Sequence, residues 1–403
     1  MIYFFVIIGL LILIYFYDYK EARRNRFLWF MVALFVLIII AGFRYRLGTD
    51  SVRYERYFTN VVPTLSKLHT YNFADSRFSP LYIILNSAIR TVTDQFIVFQ
   101  IVHAIIVNSI IFYFIYKNTR KIFFGVLFYF IFQYFGLNME VLREALAVCV
   151  FLLAWPFFRD GKWIMWFLMS FIAFMCHTSG VFMFILPIIV LPGIRSLFVF
   201  GKRTIIICCC LYVVLLFIRV RFFEYVQALA VLDSVGERAK TYAEDDLASS
   251  SLSIVGLFIL SIKSFFFPLC AIYLLRKENN ANFEDGSRFL SMSLMSVYIG
   301  ICAILIPIFY RFNNYFVFFI LIAYADVVFS NIFLNKSRIR LPYYAWILIF
   351  VPLFFIQSRS TFLGNVNKSG TLKGYMNYYP YSSRLDMEKD PNREKVFKYN
   401  HSY

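Results

Sequence analysis

Charge is what this sequence has least of. Only 16% of its 403 residues are Asp, Glu, Lys or Arg, against 61% apolar. A soluble domain of this length needs far more polar surface. Paired cysteines are missing too. The seven at positions 149, 176, 208, 209, 210, 270 and 302 lie almost all within apolar runs, with no spacing suited to a disulfide framework or a zinc site. They read as small buried hydrophobes. The four histidines are scattered, so no metal and no other cofactor is expected. No Gly/Ser linker and no internal repeat divides the chain. The N-terminal MIYFFVIIGLLILIYFY lacks a basic leader and a small-residue cleavage site, and reads as a retained helix rather than a signal peptide.

A net charge of +17 would suit nucleic acid in a soluble protein. Here Lys and Arg are spread over short loops between apolar runs, which membrane topology alone produces. No nucleic-acid partner is expected.

Apolar runs are what the sequence does have. They cover approximately 2–17, 27–43, 79–92, 95–116, 122–136, 140–158, 163–176, 178–191, 204–220, 252–275, 289–308, 312–330 and 342–357. A helix needs about 20 mostly apolar residues to cross the hydrocarbon core. Only helices or closed barrels satisfy their backbone in lipid, and continuous rather than alternating runs select helices. The expectation is an all-α polytopic integral membrane protein with about 11 to 13 transmembrane or re-entrant helices. Residues 1–357 form one membrane-embedded domain with outer loops 44–78 and 219–251, and 358–403 form a polar C-terminal tail.

Orientation follows from six short basic loops, 18–26, 117–121, 159–162, 192–203, 276–288 and 335–340, which the positive-inside rule places in the cytoplasm. Alternation then holds from residue 117 onward and fails once before it, between 44–78 and 117. If 79–92 does not fully cross, parity is restored. The outer side then receives 44–78, 137–143, 176–179, 219–251, 309–313 and the tail, which carry the polar residues that topology does not explain. Polar groups from distant segments on one face suggest a site.

The first such segment is GFRYRLGTDSVRYERYF, residues 42–58. A translocated loop has no topological reason to be basic, and arginine is the natural partner of phosphate. Arg44 and Arg46 emerge at headgroup depth, where snorkelling is the ordinary explanation. Gly48 permits a tight turn, and Asp50 follows within reach of both arginines, where it either neutralises them or acts chemically. In LNMEVLREALAV, 137–148, Arg143 and Glu144 open an apolar helix, with Glu140 spaced to pair with Arg143. In FMCHTSGVFMFILPI, 174–188, His177, Thr178 and Ser179 interrupt two apolar halves. In IPIFYRFNNYF, 306–316, Arg311 sits between two spans. His177 is the only histidine placed near the other polar groups.

In this order the segments resemble the EpsG/Wzy-like polysaccharide polymerases. That family has an early Arg-x-Gly-Thr-Asp-x-x-x-Tyr loop, seen here as Arg46, Gly48, Thr49, Asp50 and Tyr54. It also has an Arg-initiated mid-chain helix (Arg143), a His-Thr/Tyr-Ser stop (His177 to Ser179) and a late Arg between two helices (Arg311). Tyr379 to Tyr381 looks similar too. Which of Arg44 and Arg46 corresponds to the family arginine stays open. Loop 219–251 has no counterpart.

The resemblance implies a membrane glycosyltransferase of the inner membrane. It would join undecaprenyl-pyrophosphate-linked oligosaccharide repeat units into O antigen, capsule or exopolysaccharide at the periplasmic face. Asp50 and His177 are the catalytic candidates. Arg44, Arg46, Gly48, Thr49, Tyr54, Arg143, Glu144, Ser179 and Arg311 are the candidates for binding pyrophosphate or sugar. Its partners would be the lipid-linked oligosaccharide and the bilayer, with a chain-length regulator and a flippase beside it. Three rivals stand: a repeat-unit flippase, whose charges would line a central cavity; a ligase moving finished glycan to a lipid core; and a membrane O-acyltransferase centred on a His.

Overall fold

The apolar runs fold as helices. In the computed structural model, residues 2–73, 76, 78–229, 261–278, 284–305, 309–332 and 374–385 are described. The expected span 342–357, the basic loop 335–340 and loop 219–251 beyond residue 229 lie outside them. Among the described residues there is no strand, only an isolated antiparallel bridge between Arg44 and Ser383. The chain is an all-α membrane protein.

The first helices are α1 (Ile2–Leu13), continued by a π-type stretch over Ile14–Tyr19, and α2 (Arg26–Gly42). Then come α3 (Ser51–Asn60), α4 (Pro80–Val92), α5 (Phe96–Asn118), α6 (Ile122–Tyr129), α7 (Leu142–Arg159) and α8 (Trp163–Cys176). Ile2–Tyr19 and Phe96–Asn118 are long and apolar enough to cross a membrane as continuous helices. Arg26–Gly42, Ile122–Tyr134, Trp163–Cys176 and Arg288–Ala303 are shorter apolar helices.

The described residues group into two compact units. The first contains those of Met1–Leu186, Val328–Asn335 and Gln357–Tyr403, and the second those of Pro187–Val327. In the second, the helix Glu284–Leu305 buries Ser291, Ser293 and Ser296, small residues that let helices approach closely in lipid. Ser291 donates to the Phe198 carbonyl (2.8 Å) and Tyr298 to that of Leu197 (2.8 Å). The run expected to end near residue 220 continues as a helix to Leu229.

In the first unit, the basic loops 18–26 and 117–121 meet at one end. Lys121 reaches the Asp18 carbonyl (2.9 Å) and Glu21 (3.2 Å), and Arg26 pairs with Asp18 (3.3 Å). The fully buried Asp18 carboxylate accepts the Phe124 N–H (2.8 Å), satisfying a first-turn donor of α6 that has no partner within the helix. Two loops assigned to one side by charge are thus brought together.

The 13-residue α4 is about 20 Å long at 1.5 Å per residue, shorter than the hydrocarbon core. Both of its ends meet the 44–78 segment. Tyr82 packs edge-on to Tyr54 (6.1 Å), while Arg90 donates to the Val62 carbonyl and the Leu65 N–H to Thr91 Oγ1.

Between α5 and α7 the chain loosens into π-type turns at Phe130–Tyr134 and Gly136–Glu140. A closed polar triangle fixes them. Asn108 Nδ2 donates to Asn138 Oδ1, Asn138 Nδ2 to Tyr129 Oη, and the Tyr129 hydroxyl to Asn108 Oδ1, each 2.8 Å. All three residues are buried, so each polar group needs a partner from within the protein.

Candidate functional site

At the end of the first unit remote from loops 18–26 and 117–121, the chain leaves α2 at Gly42 and turns through Arg44 to Asp50. Two positions take left-handed backbone, Arg46 (φ +49°) and Gly48 (φ +91°). Glycine is required at 48 for two reasons. It adopts positive φ without penalty, and a Cβ there would lie 2.4 Å from the Met139 carbonyl oxygen. The tight turn expected at Gly48 is therefore also the place where the arginine loop is pressed onto the 136–140 turn. Two motifs nearly a hundred residues apart share one surface.

Arg44 is the most deeply held group, 1% exposed. It donates to the Ala41 carbonyl and lies among Tyr134, Tyr381, Tyr3 and Tyr82. Burial pulls its pKa down to about 10, so the guanidinium stays charged near neutral pH. Arg46 lies with its guanidinium 5.0 Å from the Tyr45 ring centroid, within cation–π range.

Arg143 stands on the first turn of α7 with its guanidinium 4.4 Å from the centroid of the Phe78 ring. It donates to the Tyr54 hydroxyl. Burial raises the Tyr54 pKa and keeps it a neutral phenol. Tyr54, Phe78 and Tyr82 form an aromatic wall, with Phe78 and Tyr82 stacked at 5.6 Å. Glu144 is buried beside Arg143 and contributes charge at Tyr54.

Asp50 precedes the first turn of α3 and is partly exposed. Its charge acts on Tyr54 and Glu140. Neighbouring Ser51 is buried and donates to the Gly48 carbonyl (3.1 Å).

Glu140 also departs from expectation. Val141 (φ −99°, ψ 53°) breaks the chain between the π-type turn and α7, so Glu140 and Arg143 do not share one helical face. Glu140 accepts from the Tyr378 hydroxyl and from the Thr49 N–H and hydroxyl. Burial, with Asp50 adding to it, raises its pKa.

His177 ends α8, and Leu142 and Arg143 start α7. The two helices are antiparallel, joined through Asp160–Lys162, so His177 and Arg143 lie at the same end of the hairpin. The His177 ring Nδ1 is 2.6 Å from Ser179 Oγ and accepts the Ser179 N–H (3.2 Å). Those bonds cap the Thr178–Val181 turn. Arg311, exposed on the helix Phe309–Ile332, belongs to the second unit.

One group was missed in the sequence, and a second was noted only as Tyr379 to Tyr381. His103, 0% exposed on α5, sets Nε2 2.9 Å from the Leu142 carbonyl, directly before Arg143, and feels the charge of Arg44. His177 is thus not the only histidine near the polar groups. A signal was present: Gln100, His103 and Asn108 are all buried polar residues within a span, and such residues are functional suspects by default.

The second is the segment 374–385. The Tyr45 N–H donates to the Ser382 carbonyl (2.8 Å), the Gly48 N–H to that of Asn377 (3.0 Å), and the Arg384 N–H to that of Phe43 (2.9 Å). Tyr381 donates to the Ile40 carbonyl (3.1 Å), Tyr3 to that of Tyr378 (2.9 Å), and Arg384 pairs with Glu55. A C-terminal strap is bound along the arginine loop.

The family model of the EpsG family matches residues 27–383, from α2 through the strap. The chain belongs to the EpsG family. EpsG proteins are Wzy-like polysaccharide polymerases, and the match includes the arginine loop, the first turn of α7, His177, Arg311 and the strap. No curated protein and no solved structure matches this EpsG chain.

Proposed function

We propose that this protein elongates a surface polysaccharide at the outer, periplasmic face of the bacterial inner membrane, using oligosaccharide repeat units carried on undecaprenyl pyrophosphate. The observation that carries the reading is the gathering of Arg44, Arg46 and Arg143 with Asp50 at the end of the first unit opposite two basic loops. Arginines there have no topological purpose, and arginine is suited to a departing pyrophosphate.

In the proposed reaction a hydroxyl of the acceptor sugar attacks the anomeric carbon of the growing chain. The C–O bond to pyrophosphate breaks, the lipid pyrophosphate leaves with the electron pair, and the acceptor proton passes to a base. The cations stabilise the charge developing on the leaving group. Asp50 or His177 is the base, with Asp50 favoured because it is partly exposed in the same loop as Arg44 and Arg46. His177 would then orient the acceptor, with Ser179. Gly48 and Thr49 shape the loop, Tyr54 holds Arg143, and Glu144 adds charge beside it.

Deletion of the gene, followed by gel analysis of surface glycan, tests the reading. Loss of long chains with single repeat units retained supports polymerisation. Loss of all surface repeats would favour a flippase, and unchanged chain length would reject both.

A further inference from the structure

The strap 374–385 lies far from the catalytic candidates in sequence, yet it touches both halves of the site. Its backbone carbonyls at Asn377 and Ser382 take the amide hydrogens of Gly48 and Tyr45, and the Tyr378 hydroxyl donates to Glu140 Oε1. Tyr378 is buried, 5.1 Å from the Phe135 ring centroid, so its hydroxyl is held in place by packing. Glu140 in turn accepts from both the N–H and the hydroxyl of Thr49, the residue directly before Asp50. A three-member chain thus runs from strap to loop: Tyr378, Glu140, Thr49.

We propose that Tyr378 and Glu140 are a positioning pair of the polymerase, fixing through Thr49 the place of the Asp50 carboxylate relative to the arginines. This rests on the reading of Asp50 as a chemical group. The physical case lies in how little else holds Asp50. Its side chain caps no helix donor, and the preceding loop needs two left-handed residues, so that loop does not hold its shape on backbone preference alone. Three donors on one buried carboxylate restrain Thr49. A reacting group displaced by about 1 Å loses on the order of a hundredfold in rate. Arg384, paired with Glu55 on α3, fastens the far end of the strap to the helix that Asp50 begins.

The test uses the full chain in membranes, supplied with lipid-linked repeat units extracted from cells lacking the gene. Tyr378→Phe keeps the ring and removes only the hydroxyl. It is expected to lower turnover about tenfold, the low end for a hydrogen bond to a charged group, with KM little changed. Glu140→Gln should lower it at least as far, and the double variant no further than Glu140→Gln alone, because both act through one contact. Hydrogen exchange at the amides of Tyr45 and Gly48 reports strap docking independently of activity. It should stay as slow in Tyr378→Phe as in the unaltered chain.

If Tyr378→Phe polymerises at the unaltered rate while Asp50→Asn is inactive, the positioning pair is wrong and the reading of Asp50 survives. If exchange at Tyr45 and Gly48 becomes fast in Tyr378→Phe, the hydroxyl merely anchors the strap, and the proposal falls. If Asp50→Asn retains full activity, the reading beneath the proposal fails with it.

Discussion

Gly48 lies so close to Met139 that any side chain at 48 would put its Cβ 2.4 Å from the Met139 carbonyl oxygen. Gly48→Ala therefore meets both a backbone clash and a positive φ that alanine resists. We expect it to pry the arginine loop from the 136–140 turn and to abolish long-chain glycan. Gly9→Ala, on α1 with nothing within 4 Å of its Cβ, should leave glycan length unchanged. Equal behaviour of the two would show that contact between loop and turn is unimportant.

Arg143→Lys keeps the charge but loses the planar fork that spans Phe78 and Tyr54. Polymer length should remain impaired at normal protein level. Full recovery with lysine would show that only a point charge is needed there.

Asp50→Asn and His177→Ala separate two roles. Both are expected to abolish polymer, with folding checked by detergent-stable chromatography. Since the His177 ring caps its own turn through Ser179, His177→Asn, which retains a side-chain acceptor, is the sharper variant. If it stays active, the imidazole serves the turn and not the chemistry.

Topology is testable by cysteine labelling in a background lacking native cysteines. Ser51 is a poor probe because it is buried. Arg53, Arg56 and Lys67 are exposed. Cysteines there should react with an impermeant reagent from outside the inner membrane, while one at exposed Lys117 should not. The reverse pattern would move the site to the cytoplasmic face.

The Tyr129, Asn108 and Asn138 triangle gives a stability prediction. Tyr129→Phe removes one hydroxyl and strands a donor on Asn138 and an acceptor on Asn108. Leaving a buried group unpaired costs about 1–3 kcal/mol, with bonds between membrane helices tending toward the low end. Thermal unfolding in detergent should shift downward by several degrees. An unchanged midpoint would mean that the two amides find new partners.

The spans were legible because continuous apolar runs in lipid leave helices as their main solution, and helices follow the expected runs from residue 2 to residue 190 closely, while Pro192–Phe198, expected within a basic loop, is helical too. The meeting of loop 42–58 with segment 137–148 was legible from charge alone, since unexplained cations had to share a side. The partners of Glu140 were not. Helical spacing assigned it to Arg143, and the break at Val141 turned it away. His103 was passed over because nothing in one sequence says which face of α5 meets the first turn of α7. The strap was hidden for a different reason. Three of its contacts are backbone hydrogen bonds, and nothing in one sequence pairs Tyr378, Tyr381, Ser383 and Arg384 with Glu140, Ile40, Phe43 and Glu55.

That grip also sets an order of assembly. A ribosome releases Glu55 329 residues before the Arg384 that pairs with it, a delay on the order of twenty seconds at about 20 residues per second. All the chain between them is made first. The arginine loop therefore receives its last contacts only after Arg384 has been made. A nascent or truncated chain threads the bilayer with this part of its site unfinished, and no fragment ending before the strap acquires the whole site by itself.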